Sequence, residues 1–474
     1  CLGLWLEPVA EKDMVANVDN LNIVSTSLKR VDSPLSLASI TILGKEYKSG
    51  EILPAGINQI DSFKIVVPEG ISSSPYWLNG AYDGVFNVED RKLIGKAEND
   101  PAIIFTYNVK VGNEIFAINR GVVYKETDAV KGEIYTPLAV VPRAIVHADS
   151  YNLIYTDSLS KNFPLLIKSY ASDTIAGNVR LFGNRANISS KAYTLNKNGE
   201  SATLNFTITP PKQNGTKDIG LNISGNNENE TLGESAKKIR VISYDHIPRQ
   251  VVVEDAKLHV VKFDAMPSTK KVLYIDGAGD LVDESLKQIG VNITTIKPED
   301  MNAALLQQYD VAIIGVRAFN TSKVLADNNA QLMEFVNAGG TVIAQYSTNW
   351  DMYLEKIGPY NFKITRTRVT DENSPVEFLL PEHKVLNSPN KITQDDFTGW
   401  VQERGIYFAG ELAPEYVAPL AFTDPNEQPQ NGSLIIAQYG KGTFMYTGLA
   451  FFRELPAGVA GAYRLMLNMI EYKP

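Results

Sequence analysis

Apolar positions along this chain follow two different rhythms. As far as about residue 264 they come in short runs that alternate or are rich in β-branched residues, at 21–28, 35–43, 60–67, 103–111 and 115–124, then at 165–169, 177–181, 201–208, 218–223 and 238–243. Turn signals such as Gly44-Lys45, Pro68-Glu69-Gly70 and Val111-Gly112-Asn113 separate them. This spacing predicts two successive β-sandwich regions. From residue 271 the rhythm changes. Lys-Val-Leu-Tyr-Ile-Asp at 271–276 is a continuous apolar run that breaks at Gly277-Ala278-Gly279-Asp280, and Val282, Leu286 and Ile289 then recur at helical spacing.

That strand-to-helix unit repeats. The pattern predicts strands at 291–296, 310–316 and 341–346, helices at 301–306 and 325–336, late strands at 433–439 and 443–447, and a final helix at 460–470. Strands that are apolar throughout and alternate with helices imply a parallel sheet covered on both faces. The expected architecture is therefore multidomain: a β-sandwich-like region at 1–141, a second, immunoglobulin-like β-sandwich at 142–266, and a three-layer α/β domain of flavodoxin-like type at 267–474. Met266-Pro267-Ser268 reads as the linker into the last domain, and 351–432 as a long insertion with few regular runs.

Ligands in parallel α/β sheets sit at the carboxyl ends of the strands, so 276–280, 315–320 and 345–349 are the segments where a site is expected. The insertion adds Arg366, Arg368, Asp371, Glu372, Trp400, Gln402, Glu403, Arg404 and Tyr407. In the first β region, Tyr76-Trp77-Leu78 and the loop 95–101 offer aromatic groups that serve either packing or sugar stacking.

Length and charge narrow the classes of function. The 474 residues exceed what one core organises, and about three domains are expected. No apolar run approaches the roughly 20 residues of a membrane-spanning helix. A net charge of −9 without a basic tract argues against nucleic acid as a partner. The single cysteine, Cys1, allows neither an internal disulfide nor a cysteine metal cluster. Because Leu2-Gly3-Leu4-Trp5-Leu6 reads as a strand rather than a tether, Cys1 is expected to mark a cut from a longer polypeptide rather than a lipidated terminus. Sequons occur at Asn187, Asn205, Asn214, Asn222 and Asn229, as an Asn-rich β region produces by chance.

Catalytic chemistry finds little purchase. The four histidines, His147, His246, His259 and His383, form no ligand pair at helical spacing, and neither metal nor cofactor is expected. Gly277-Ala278-Gly279 lacks the third glycine and the acidic residue of a dinucleotide loop, so Asp280 reads as a helix cap. The strand order expected for 267–474 is that of class I glutamine amidotransferase-like domains. At the two places where such a domain would carry Cys and His, this chain has Gln345-Tyr346-Ser347 and Tyr446-Thr447-Gly448-Leu449, which excludes thiol chemistry with a Cys-His pair. Ser347 has no candidate base nearby in sequence.

Several runs together resemble a known family: Tyr274-Ile275-Asp276-Gly277-Ala278-Gly279-Asp280, Gly315-Val316-Arg317-Ala318-Phe319-Asn320, Arg368-Val369-Thr370-Asp371-Glu372, Gly399-Trp400-Val401-Gln402-Glu403-Arg404-Gly405 and Tyr446-Thr447-Gly448-Leu449-Ala450-Phe451-Phe452. They resemble the C-terminal region of large PIG-L (LmbE-like) deacetylases of Bacteroidetes-type bacteria, and Gly3-Leu4-Trp5-Leu6-Glu7, Pro75-Tyr76-Trp77-Leu78 and Val140-Val141-Pro142 also fit. In that family an N-terminal domain with a His-Pro-Asp-Asp type zinc motif removes N-acetyl groups from amino sugars, and this chain lacks the motif. The resemblance implies an accessory half: β-sandwich modules followed by a degenerate amidotransferase-like domain, similar also to trehalose-utilisation-type domains. It also implies an extracytoplasmic bacterial setting, a deacetylase domain on the same polypeptide as partner, and carbohydrate as ligand.

The expected function is thus non-catalytic, in glycan binding or in packing on a deacetylase domain. Two alternatives stand beside it: a carbohydrate hydrolase working through carboxylates such as Asp276, Asp280 and Glu403, and a scaffold without a ligand. The residues expected to converge on the carboxyl edge are Asp276, Asp280, Arg317, Asn320, Asn349, Trp400, Glu403 and Arg404. In a purely structural version of the same site, Glu403 pairs with Arg317 and Arg404 with Asp371, pinning the insertion to the sheet.

Overall fold

A computed structural model describes residues 3–79, 85–183, 186–225 and 233–474. Cys1 and the sequon at Asn229 lie outside the described residues. The chain is mostly strand, with few helices, arranged in many sheets. Its contacts divide it into two compact units. The first comprises Cys1–Tyr151, Asn162–Ile208 and Ile219–Leu258, and the second Asn152–Lys161, Thr209–Asp218 and His259–Pro474. Residues 142–266 contribute to both.

In the first unit, a five-stranded sheet contains Leu4–Ala10, Asn20–Lys29 and Gln59–Val66, while a four-stranded sheet contains Leu35–Ile42, Lys45–Ile52, Ile104–Val111 and Glu114–Gly121. Alternation puts Leu6, Leu21, Ile23, Phe63 and Ile65 of one sheet and Leu37, Ile40, Phe105, Tyr107 and Val109 of the other into a single apolar cluster. Buried Ser25 Oγ and Tyr107 Oη satisfy each other at 2.6 Å within it. Farther along, Ile175–Gly183 pairs antiparallel with both Ala186–Leu195 and Gly215–Gly225, and Lys237–Tyr244 forms a hairpin with Ile247–Asp255. Tyr76 donates from its backbone N–H to Asn99 Oδ1 (2.9 Å) and from its hydroxyl to the Lys96 carbonyl (2.9 Å). These bonds tie the aromatic turn to the loop 95–101, and both Tyr76 and Trp77 are half-buried.

The second unit is built on a six-stranded sheet in the spatial order Asn292–Ile296, Lys271–Ile275, Val311–Ile314, Thr341–Gln345, Gly442–Thr447, Leu434–Tyr439. The first five strands are parallel, and the last is an antiparallel edge. Successive residues of each strand enter different clusters. Val272, Tyr274, Val311, Ile313, Ile343 and Met445 pack with Leu286, Phe451, Leu465 and Met469, whereas Leu273, Ile275, Ala312, Ile314, Val342 and Phe444 pack with Leu306, Leu325, Leu332 and Phe335. Both faces are therefore dry, which is why these strands read as unbroken apolar runs.

The helix expected at 325–336 is two helices, Lys323–Asp327 and Asn329–Ala338. Asn328 interrupts it, donating from Nδ2 to the Val324 carbonyl at 2.9 Å. Two excursions from the β region complete the unit. Asn152–Tyr155 pairs parallel with His259–Lys262, and Ile154, Val261 and Phe263 join the first of the two clusters. Gln288 Oε1 accepts from Ile154 N–H at 3.1 Å, and the Lys161 ammonium donates to the carbonyls of Ile154 and Gln288.

At the carboxyl ends, two loop backbones nearly touch. Ala278 N–H donates to the Val316 carbonyl at 2.8 Å, and a Cβ on Gly277 would stand 2.2 Å from that same oxygen. Only glycine permits the approach. Gly277→Ala must push the first and third strands apart at this end, at a cost of about 1 to 3 kcal/mol. We expect a melting temperature lower by several degrees, measured by calorimetry; an unchanged melting temperature would show that the loops separate freely.

Candidate functional site

The carboxyl edge of the parallel sheet is assembled by side chains that reach between strand ends. Asp280 accepts from Tyr274 Oη (2.5 Å), Val282 N–H (3.0 Å) and Val316 N–H (3.1 Å); it stands one residue ahead of the helix cap Leu281, binds the first amide of that helix, and also holds the end of the third strand. Gln345 Nε2 donates to Tyr274 Oη at 2.9 Å, extending the chain of bonds to the fourth strand. Asn320 fastens the third and fourth strand loops together: its Oδ1 accepts from Thr348 N–H (2.9 Å), and its Nδ2 donates to the Trp350 carbonyl (2.9 Å). Arg317 N–H donates to the Tyr346 carbonyl at 2.8 Å.

With the loops fixed, Asp276, Arg317 and Asn349 remain solvent-exposed on the edge. Partial burial raises the Asp276 carboxyl above the ordinary range, and the charges of Asp283 and Asp280 push it further in the same direction.

Three expected residues behave differently. Trp400 is 3% exposed and offers no free face: its indole N–H donates to the Asp396 carbonyl at 3.0 Å, and its ring lies against Phe397 with centroids 5.5 Å apart. It belongs to the cluster with Phe422, Leu449 and Phe451, so the sugar-stacking role expected for it is replaced by core packing. Arg404 is buried as well. It donates to the carbonyls of Ser374 (3.1 and 2.7 Å) and Phe397, beneath the rings of Phe397, Trp400 and Phe422. Glu403 pairs with Arg453 Nε at 2.9 Å. The insertion is thus pinned, but through Arg453 and backbone carbonyls rather than through Arg317 and Asp371.

The surface that does gather on the edge was only partly anticipated. Tyr346 stacks on Tyr407 (5.7 Å between centroids, planes 12° apart) and touches Phe452 (5.3 Å), while Trp350 meets Tyr407 edge to face (5.5 Å). Trp350 is 43% exposed, with the Arg366 guanidinium over its ring at 5.1 Å. Burial raises the Tyr346 phenol, while the charges of Arg317 and Arg453 favour its ionisation and that of Glu403 opposes it. Tyr346 falls within the 345–349 segment and ends the strand expected at 341–346, Trp350 follows that segment, and Arg366 and Tyr407 lie in the insertion; no periodicity marked the last three as exposed or buried.

Several residues in these loops carry backbone strain. Arg317 (φ 57°), Asp351 (φ 54°), Gln402 (φ 70°) and Tyr407 (φ 54°) all occupy the left-handed region, which side chains of this size rarely adopt without a surrounding structure that enforces it.

No family model matches the chain, and no curated protein matches it. Solved structures with partial likeness include a β-galactosidase from Rahnella sp. R3, at 15% identity and a TM-score of 0.27, with 42% of this chain aligned to 31% of that one. Another is the exo-β-1,4-mannosidase Op5Man5 from Opitutaceae bacterium strain TAV5, at 11% identity and a TM-score of 0.27, with 43% of this chain aligned to 35% of that one. The chain thus spans about a third of the length of each, and neither likeness bears on what it binds.

Of the three carboxylates considered for hydrolysis, Asp280 is taken up by three donors and Glu403 by Arg453. Ser347 is fully buried, and its Oγ has no hydrogen-bond partner among the described residues. No group of three metal-ligating side chains occurs among those residues either.

Two expectations follow from the pinned insertion. Trp400→Ala empties a packed indole site at a cost of about 3 to 5 kcal/mol. The melting temperature of that variant should fall by many degrees in thermal denaturation, and a shift of a degree or less would place Trp400 outside the core. The second concerns Glu454, which is fully buried: Oε2 accepts from Val401 N–H at 3.0 Å, while Oε1 has no hydrogen-bond partner among the described residues. Burial lifts its carboxyl from 4.5 to about 8, against the lowering influence of that N–H and of Arg404 and Arg453. Below 4.5 the folded and unfolded chains both hold the proton, and between 4.5 and about 8 only the folded chain does, so this group's stabilising contribution is lost as pH rises through that window. Glu454→Gln keeps the acceptor for Val401 and removes the titration. Melting curves at about pH 5 and about pH 8 should therefore differ less for the variant than for the parent; equal differences would mean that Glu454 does not titrate there.

Proposed function

We propose that this chain is a non-catalytic accessory region of a PIG-L-type N-acetyl-sugar deacetylase, working outside the cytoplasm of a bacterium, and that it holds glycan at the carboxyl edge of its parallel sheet. In this reading residues 267–474 are an α/β domain of the amidotransferase-like, three-layer kind whose catalytic positions have been given up. The deacetylase domain on the same polypeptide is its partner.

One observation carries the reading: Trp350 is a large, exposed aromatic side chain set among polar groups at the end of a parallel strand. Leaving so large a ring in water forgoes a large apolar gain, so its exposure beside Tyr407 suits stacking against a sugar face. Asn349 beside it in the chain, and Arg317 and Asp276 exposed at other strand ends of the same edge, offer donors and acceptors for hydroxyls. Asn320 belongs to the loop that presents Trp350 rather than to the contact surface.

The test is a glycan array probed with the full chain and with Trp350→Ala. Binding to glycans containing N-acetylated amino sugars is expected, with loss of at least about 1.4 kcal/mol, or tenfold in affinity, in the variant and little change in melting temperature. Absence of binding to every glycan would favour the scaffold reading. Retained binding by Trp350→Ala would move the site away from this edge.

A further inference from the structure

We propose that the strand Glu114–Gly121 pairs with the same strand of a second copy of this chain, antiparallel about a twofold axis at Ala117, so that the four-stranded sheet of the first unit continues from one molecule into the next. The proposal goes beyond the glycan reading and does not depend on it.

The strand is the last of its sheet, and among the described residues it pairs only with Ile104–Val111. A two-residue turn, Gly112-Asn113, joins the two strands, with Val111 opposite Glu114. Residues that close such a turn bond to each other, and the pattern then alternates. Glu114, Phe116, Ile118 and Arg120 therefore turn their amides and carbonyls toward the neighbouring strand. The alternation is kept beyond the strand, where Val122 N–H donates to the Ile103 carbonyl at 2.9 Å. Ile115, Ala117 and Asn119 turn theirs to the open side, and the Asn119 carbonyl accepts from the Arg120 guanidinium at 3.1 Å.

Sheet edges are ordinarily kept from pairing by charges, bulges or proline. The far edge of this sheet carries Lys45, Glu46, Lys48 and Glu51, and its pairing shifts register between Ile40 and Thr41. Glu114–Gly121 has neither protection. Its pairing runs without a register shift, and no charge stands between Glu114 and Arg120. Ile115 is 60% exposed and Phe116 55%. Phe116 lies opposite the buried Val109, on the face from which Ile118 packs against the apolar cluster, so an apolar row that begins in the core runs out into water at this edge.

The order of residues in the strand fits its own reverse. Pairing about Ala117 sets Glu114 opposite the partner's Arg120, Phe116 opposite the partner's Ile118 and Ile115 opposite the partner's Asn119, each contact occurring twice by symmetry. The open groups of Ile115, Ala117 and Asn119 then fall into hydrogen-bonded pairs. The charged and apolar pairs take the intervening positions, where opposed side chains stand closest. Neither Glu114 nor Arg120 has an ion pair among the described residues, so both are available for this one. Moving the axis to Ile115 or to Asn119 would keep hydrogen bonding in phase and lose both ion pairs, so the charges select the register.

The experiment is sedimentation velocity of the full chain at loadings from about 1 to about 100 µM, the range in which a contact of one strand with another should associate. The parent should pass from monomer to dimer across it. Glu114→Arg sets like charges opposite each other and should weaken the dimer at least about tenfold, and adding Arg120→Glu to that variant should restore it. Hydrogen exchange on the unsubstituted chain gives a second reading: the amides of Ile115, Ala117 and Asn119 should exchange more slowly at the highest loading than at the lowest. A parent that stays monomeric at the highest loading would overturn the proposal. So would a dimer indifferent to Glu114→Arg, a doubly substituted chain that fails to recover it, or exchange at these three amides that is independent of concentration.

Discussion

The carboxyl edge of the parallel sheet depends on the hydrogen bonds that converge on Asp280. Neighbouring parallel strands cannot be closed by a tight turn, and the amides just beyond each strand lose their ladder partners. Asp280 supplies acceptors for two of these amides, Val282 and Val316, and for the Tyr274 hydroxyl that Gln345 also reaches. Once Val316 is held, Gly277 must lie against its carbonyl and the chain must turn sharply at Arg317. The strained conformation of Arg317 is thus a downstream result of how a parallel sheet satisfies its ends.

The insertion is secured by a different device. Arg404 keeps its charge in an apolar cluster by donating to backbone carbonyls and lying beneath three aromatic rings. Burial nevertheless lowers its pKa to about 10, a sign of how little water remains there. Glu454 lies close enough to feel that charge, yet its carboxyl is pushed upward because desolvation outweighs the attraction.

Much of this arrangement can be read from the sequence, and the unreadable part has a common cause. The central strands Lys271–Ile275, Val311–Ile314 and Thr341–Gln345 announce themselves because both faces are buried, which makes each one a nearly unbroken apolar run, whereas the edge strand Asn292–Ile296 exposes Asn292 and Thr294. The placing of Arg317, Asn320 and Asn349 after strand ends follows from that periodicity alone, whereas Asp280, expected as the helix cap, stands one residue ahead of the cap Leu281. The insertion has no period, so nothing in the order of residues separates Trp400, which is in the core, from Trp350, which is not. Both are tryptophans next to polar residues, and only the tertiary path of the chain decides which one meets water. The same holds for partners: Glu403 finds Arg453 on a helix 50 residues away, and a spacing rule has no access to such pairings.

The chain path of the second unit carries a consequence for how this protein is made. Its core is stitched from three separate lengths of polypeptide, and Ile154, Val261 and Phe263 meet Tyr463 and Val459 only after the last helix has been synthesised. A ribosome therefore releases the strand Asn152–Tyr155 roughly three hundred residues before its final neighbours exist. Its backbone can pair with His259–Lys262 about a hundred residues later, but its apolar side chains wait for the helix Ala460–Glu471 to cover them.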